Sequence, residues 1–386
     1  DDEQVTQVIV HQEGKADGPV AAEHILNHIH LATIARNPLH ITLLLSALQR
    51  VPSEHLRHVS HIYLYATDVH LLRNLLTERT FRSTADKLFF LCELAWNMLS
   101  RRELRTHYRA IPPYIKAFCS HRPLSDDELD IWDYDTRHQT FLRRDVAGYY
   151  EFTHKSLVEY FVALKFAAEI GCLHPRFLQV YGEDDAQPFA FPIEQKPLRQ
   201  LLTTFGKLPL PSEHMYIVGN LLAGMLRDDA ADILWQLIDK MRNSTPEQVR
   251  HVCSNAVTLL HMHGEIFRGA NLARTMLTAA NLQHADLTGA DMSGAILIAV
   301  NFSGTTMTAV NLRGAYLRQC NLSGCILNDA DLRDANLVAL PVWTCSMDIQ
   351  CQGMRIGGMR GLEQEIIWIS SDGTEQTMTM REFLLE

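Results

Sequence analysis

Ala270-Asn271-Leu272-Ala273-Arg274-Thr275-Met276-Leu277-Thr278-Ala279-Ala280-Asn281-Leu282 repeats a five-residue unit, and the unit continues far beyond this stretch. From Phe267 to Leu337 an apolar residue falls at every fifth position, fifteen times without a break. Two residues before most of them stands Ala, with Val, Thr or Cys in the remaining interior slots. The residue between is often Asn or Asp, as in Ala285-Asp286-Leu287. A period of five fits neither the helical 3.6 nor the strand period of two. It calls for a repeat that stacks into a solenoid, which presents surface rather than closing a deep catalytic pocket. Recognition, not chemistry, is the first expectation.

The rest of the chain is ordinary folded protein in composition. Of 386 residues, 47% are apolar and 21% charged, enough for two or three domains. The densest apolar run, Leu88–Leu99, is interrupted by Glu93 and Asn97, so no membrane span is expected. The first residues, Asp1-Asp2-Glu3-Gln4-Val5, show neither a basic start nor an apolar core of a signal peptide. Eight scattered cysteines without a CxxC pair read as free thiols of a cytoplasmic protein. Cys320 and Cys325 occupy the small-residue slot of successive repeats, which packing explains. His24 and His28 have metal-compatible spacing, and His55, His58 and His61 recur every third residue. No acidic or cysteine partner completes either set, so no metal is expected. The net charge of −10 disfavours a nucleic-acid partner.

Upstream of the repeat the pattern is helical. Asp17-Gly18-Pro19 punctuates the start of a helix over Val20–Arg36. Asn37 then caps a second helix with Pro38 at its first position and Leu39–Arg50 as its body. Further helices are expected over His55–Thr77, Thr84–Leu99 and Ile111–Cys119, and Ser125-Asp126-Asp127-Glu128 has the form of a capping box. Residues 141–152 read as a hairpin turning near Ala147-Gly148. An amphipathic helix follows, with Leu157, Tyr160, Phe161, Leu164 and Ala168 on one face. Gly171–Gln195 reads as irregular and Leu198–His263 as helical hairpins, the last entered at Pro246 and running through Val249–His261. Beyond Leu340, Glu365–Met380 reads as a hairpin turning at Asp372-Gly373, and Arg381–Glu386 as a short helix; together they could cover the solenoid's open end.

Two segments carry a family resemblance. Phe141-Leu-Arg-Arg-Asp-Val-Ala-Gly-Tyr-Tyr-Glu-Phe-Thr-His-Lys-Ser-Leu-Val-Glu-Tyr-Phe-Val-Ala163 resembles the winged-helix end of NACHT-type signalling NTPases, the STAND group. Ala35-Arg-Asn-Pro-Leu-His-Ile-Thr-Leu-Leu44 resembles the same group's helical subdomain. Residues 267–337 resemble the pentapeptide-repeat family, whose fold is a right-handed, four-sided β-helix. The fold class implied is multidomain α+β: an all-α helical region with a winged helix, a helical connector, then a right-handed quadrilateral β-helix of pentapeptide repeats. The corresponding segments are 1–80 (helical subdomain), 81–170 (winged helix), 171–264 (connector), 265–340 (β-helix) and 341–386 (cap). The resemblance further implies that Pro38 packs near the adenine of a bound nucleotide. It also implies that His154 reaches the ADP β-phosphate and holds an inactive state. Residue chemistry alone leaves a helix-breaking proline and a buried structural histidine as the alternatives. No G-x-x-x-x-G-K-[ST] occurs, so ADP or ATP would be held only with an upstream core, and the chain reads as a fragment that by itself is not expected to hydrolyse ATP.

The leading expectation is therefore the regulatory and sensing portion of a STAND/NACHT nucleotide switch. Its protein partner would bind the β-helix and connector, and activation would bring homo-oligomerisation. A stand-alone pentapeptide-repeat interaction scaffold is the alternative. A DNA-mimicking rod would need strong acidity, yet residues 265–340 hold six acids against five arginines, and about four coils would make a rod of only about 18 Å. Direct DNA binding would rest on Arg101, Arg102, Arg105 and Arg109 with Arg143 and Arg144; surface solvation explains them equally well, and the overall charge opposes it.

Overall fold

The structure is a computed structural model that describes residues 2–27, 32, 35, 38–48, 56, 58–72, 84–112, 115, 141–180, 192–338, 352, 354–357, 360, 365–369 and 375–379. The chain divides into two compact units, Asp1–Gln195 with Asn220–Arg227, and Lys196–Gly219 with Asp228–Glu386.

The first unit is mainly helical. α1 (Asp2–Leu26) begins well before the expected Val20 and carries Pro19 within its span. Val5 and Ile9 near its start are buried, and that burial extends the helix beyond the punctuation at Asp17-Gly18-Pro19. α2 (Pro38–Leu48) starts at the expected proline and packs against α1 and α3 (Val59–Leu72). α4 (Thr84–Arg101) lies against α5 (Lys155–Glu169), with Trp96 edge-on to Phe166 at 5.1 Å. Between α4 and α5 the expected hairpin forms from β2 (Leu142–Arg144) and β3 (Tyr149–Phe152), with Gly148 at φ +92 in its turn. A third strand, β1 (Arg105–His107), pairs antiparallel with the other edge of β3 and gives the order β1-β3-β2. Thr106, Leu142, Tyr150 and Phe152 form the buried face of this sheet.

The stretch expected to be irregular after Gly171 contains α6 (Pro175–Val180) and a bridge from Leu173 to Leu226. His174 N–H donates to the Met225 carbonyl and Arg227 N–H to that of Cys172, both at 2.9 Å. These bonds tie Asn220–Arg227 to the first unit. The helix expected over Ile111–Cys119, apart from a few described positions, and the capping box at Ser125–Glu128 lie outside the described residues.

In the second unit the short α7 (Leu198–Leu201) and α8 (Tyr216–Ala223, its first four residues here) precede α9 (Ala230–Lys240). The helix expected from Pro246 through His261 is two: α10 (Pro246–Val249), entered by a capping box from Thr245 and Gln248, and α11 (Val252–Met262). Arg250 at φ 43 breaks the helix, because a right-handed helix has no place for positive φ. Asn255 of α11 is fully buried and ties down the loop before α8, donating to Phe205 O and Leu208 O and accepting from Leu210 N–H.

The five-residue ladder becomes a four-sided β-helix. β4 (Met276–Thr278), β5 (Ile296–Ile298), β6 (Tyr316–Arg318) and β7 (Asn336–Val338) stack parallel, Met276 opposite Ile296, Ile296 opposite Tyr316 and Tyr316 opposite Asn336. Each step is twenty residues, so each pentapeptide is one side of a square coil. The other three sides are bridged in the same register, as in Asn271–Asp291–Asn311–Asp331. Every apolar residue of the series is buried, and its small partner two residues earlier is buried too at every slot from Thr275 to Ala335. The intervening Asn or Asp turns the corner: its Oδ1 accepts the backbone N–H two residues on, as Asn271 does from Ala273 and Asp286 from Thr288. Cys320 and Cys325 sit in the small slots, buried as expected.

Parallel bridging does not stop at residue 340. Asp331 pairs with Arg355 and Asn336 with Arg360, a spacing of twenty-four rather than twenty. Four extra residues take the next turn out of the period, so the pattern that defines the coils does not extend to it. β8 (Glu365–Ile369) and β9 (Glu375–Thr379) form the expected terminal hairpin, whose turn lies outside the described residues, as does the helix expected at Arg381–Glu386.

Candidate functional site

His154 stands immediately before α5 as its N-cap, with extended backbone (φ −151, ψ 144). Its Nδ1 accepts the Ser156 backbone N–H at 3.1 Å and lies 2.8 Å from Ser156 Oγ. A ring nitrogen that accepts from an amide carries no proton, so the neutral ring bears its hydrogen on Nε2. The residue is exposed, which corrects the alternative of a buried histidine. An N–H donor therefore stands at the positive end of a fifteen-residue helix.

The surroundings are aromatic and partly desolvated. Tyr63 of α3 stacks on Tyr160 of α5 at 5.1 Å and 18°. Burial pushes the Tyr63 phenol up to about 12, with the Ser156 hydroxyl pulling the other way. Burial also raises Glu159, although Lys155 holds it in an ion pair at 3.2 Å. One turn deeper, Lys165 pairs with Glu93 of α4 and, at 2.7 Å, with Glu169, all inside the α4–α5 interface. That charge cluster is almost wholly withdrawn from solvent.

Pro38 opens α2, whose main partners are α1 and α3, whereas α5 packs chiefly on α4 and β3. The two residues singled out from sequence are thus on different helix pairs, with α3 between them. Sequence reasoning missed that His154 has counterparts. His58, His107 and His174 also accept, through Nδ1, the backbone N–H two residues on, at 3.1, 3.2 and 3.0 Å. His58-x-Ser60 repeats the His154-x-Ser156 geometry, and a shared His-x-Ser string was the available signal. Among the described residues no group of three or more His, Cys, Asp or Glu could hold a metal ion, and no helix is long and apolar enough to cross a membrane.

The β-helix supplies the second candidate surface. Its flanks carry ladders of side-chain amides, with Asn301 donating to Asn281 at 3.3 Å and Asn311 to Asp291 at 2.9 Å. Arg268 pairs with Asp286, Arg333 with Asp331 and Arg313 with Asp334. Hydrogen bonds from Thr288 and Arg268 lower Asp286, and those from Arg333 lower Asp331, each to about 2. Half the acids of this segment are thereby neutralised on the surface itself.

Residues 266–294, 277–314 and 301–337 match the model of the pentapeptide-repeat family, in eight copies, so this part of the chain is a pentapeptide-repeat domain. A pentapeptide repeat protein of the Arabidopsis thaliana thylakoid lumen is 21% identical, over 32% of this chain and 85% of its own, with a TM-score of 0.21. The pentapeptide repeat protein Rfr23 of the cyanobacterium Cyanothece 51142 is 30% identical, over 24% of this chain and 60% of its own, with a TM-score of 0.14. An uncharacterised WD repeat-containing protein of Nostoc sp. is 34% identical over 305 residues, which is 72% of this chain and 19% of that protein. The chain spans about a fifth of the length of this curated relative. That alignment is several times longer than the repeat segment, so the likeness runs well into the helical part.

Proposed function

We propose that this chain is the regulatory and sensing portion of a STAND/NACHT-type nucleotide switch, with the pentapeptide repeats as its protein-interaction surface. The observation that carries the reading is the geometry of His154. Its Nδ1 is committed to the helix, its Nε2–H is left as a donor, and it stands where a helix dipole attracts an anion. Such a donor suits the β-phosphate of ADP bound by an upstream core, with Pro38 offering a rigid apolar plate to the adenine. The likeness to a much longer WD repeat-containing protein supports reading the chain as part of a larger repeat-bearing protein. A partner on the β-helix that favours the ATP-bound form would shift the population and release the clamp.

The test separates clamp from cap. In the chain joined to its nucleotide-binding core, His154→Asn keeps a good N-cap but removes the imidazole donor. ADP dissociation should accelerate by about 10-fold or more, the worth of one charge-assisted hydrogen bond, with the melting temperature unchanged. Unaltered ADP retention in H154N would remove His154 from the clamp. Stand-alone scaffolding is the second reading, and the self-neutralised arginine–aspartate pairs favour it over mimicry of an acidic DNA rod.

A further inference from the structure

We propose that the side of the β-helix formed by β4–β7 docks an acidic amphipathic helix of a partner protein, which deepens, and rests on, the reading of the repeats as a protein-interaction surface. In strands that turn Leu297 and Leu317 inward, the residues on either side of each leucine point outward. On β5 these are Ile296 and Ile298, both half-buried; on β6 they are Tyr316, half-buried, and Arg318, exposed. Around the same coil from β5 to β6, the outward pairs are Asn301 and Ser303, Thr306 and Thr308, then Asn311 and Arg313. None of those is apolar. The apolar strip thus belongs to one side of the four. α11 packs on β4, where Met276 is buried, whereas the main neighbours of β5 and β6 are the strands that flank them.

Charge marks the same side. Arg268, Arg313 and Arg333 are each held by an aspartate, Asp286, Asp334 and Asp331 in turn. Arg274, Arg318 and Arg360 are exposed and have no carboxylate partner among the described residues. All three border the strip. Arg274 stands at the corner before β4, its stem lying over Gly294 of the next coil. Arg360 is bridged to Asn336 of β7 and so continues the line of Ile296 and Tyr316. The one acid at this edge, Asp334, is the carboxylate that Arg313 holds at 3.3 Å. Coils stack at about 4.8 Å, and these arginines are two coils apart, so they recur about every 10 Å. An α-helix advances about 10 Å in seven residues, so one lying along the stack meets an arginine every two turns. Its complement is an apolar stripe with a carboxylate beside it every two turns. A second copy of this side would set arginine against arginine. A polyanion such as nucleic acid would set phosphates against Ile296, Ile298 and Tyr316.

The experiment uses the full chain and a fluorescein-labelled peptide of three heptads, with Leu at the core positions and Glu beside them, followed by anisotropy at low salt. The same peptide with Gln in place of each Glu is the comparison. The chain should bind the Glu peptide about 10-fold more tightly than the Gln peptide, the worth of a few exposed ion pairs. The double variant R274Q/R318Q removes unpaired surface charges, so it should melt as wild type yet lose most of that difference. Ile298→Ser should weaken both peptides alike, because it removes apolar contact. No binding of the Glu peptide, equal binding of the two peptides, or binding unchanged in R274Q/R318Q overturns the proposal. So does a dimer of the chain that I298S dissociates, or tighter binding to phosphatidylserine vesicles than to the Glu peptide. The ADP-release test of His154 stands apart from every one of these outcomes, because the titration contains no nucleotide.

Discussion

A histidine that caps a helix through Nδ1 is an acceptor only while that nitrogen is unprotonated. Four residues of the first unit, His58, His107, His154 and His174, are used in this way. His58 is the most enclosed. Its ring lies against Gly224, where any Cβ would collide with it, and Ser60 Oγ ties the same cap to the Gly224 carbonyl at 3.0 Å. Burial lowers its pKa. The unfolded chain therefore takes up the proton first as pH falls below the ordinary imidazole value of about 6.5. The stabilisation is complete above that value and is lost as pH falls towards the folded-state pKa. The urea midpoint should consequently drop between about pH 7.5 and 5.5, and His58→Asn, which caps without titrating, should drop less. An identical drop in the variant would show that the cap does not titrate with folding.

At the scale of elements, the β-helix is closed at its first coil by α11. Thr278 N–H donates to Ser254 Oγ at 2.6 Å and Asn281 N–H to Thr258 Oγ1 at 3.0 Å. Ser254 and Thr258 are one helical turn apart, so a single helix face meets successive sides of the coil. His261 meets the Gln283 carbonyl, and Arg242 donates to Ala273 O and Asn271 O. The first coil thus presents edge groups that are already bonded. Thr258→Val keeps the shape and strands one half-buried amide, so it should cost about 1 kcal/mol in chemical denaturation. Thr258→Ser should recover most of that, and equal stability of all three would deny the cap its role. None of this was legible beforehand, because Ser254 and Thr258 read as ordinary helix residues. The ladder was legible because each side of the coil is one pentapeptide, so the burial pattern is written at a fixed spacing. β1 escaped because Arg105 pairs with Glu151 across a long separation through a strand of three residues. The last partial coil escaped because twenty-four residues, not twenty, lead to it. In the candidate site, His154 was found through its string, whereas its cap bond depends on an extended φ and ψ that no residue pattern states.

On the scale of the whole molecule, two compact units share one chain, and each rests on a different kind of interior. The first holds a buried ammonium between two carboxylates, announced in the sequence only by Glu93 interrupting an apolar run. Lys165→Met removes the ammonium that Glu93 and Glu169 share, a lesion worth about 3–5 kcal/mol. It should be milder at low pH, where a buried carboxylate takes a proton. The second unit rests on stacked leucines, and Leu297, fully buried in a middle coil, has neighbours above and below. Leu297→Ala should cost about 2–5 kcal/mol, since adjacent coils limit collapse of the cavity. If the units are separate cooperative bodies, calorimetry will resolve two transitions, with K165M lowering one and L297A the other. A single transition lowered equally by both variants would instead make the chain one cooperative structure, because a lesion confined to one interior would then be felt in full by the other.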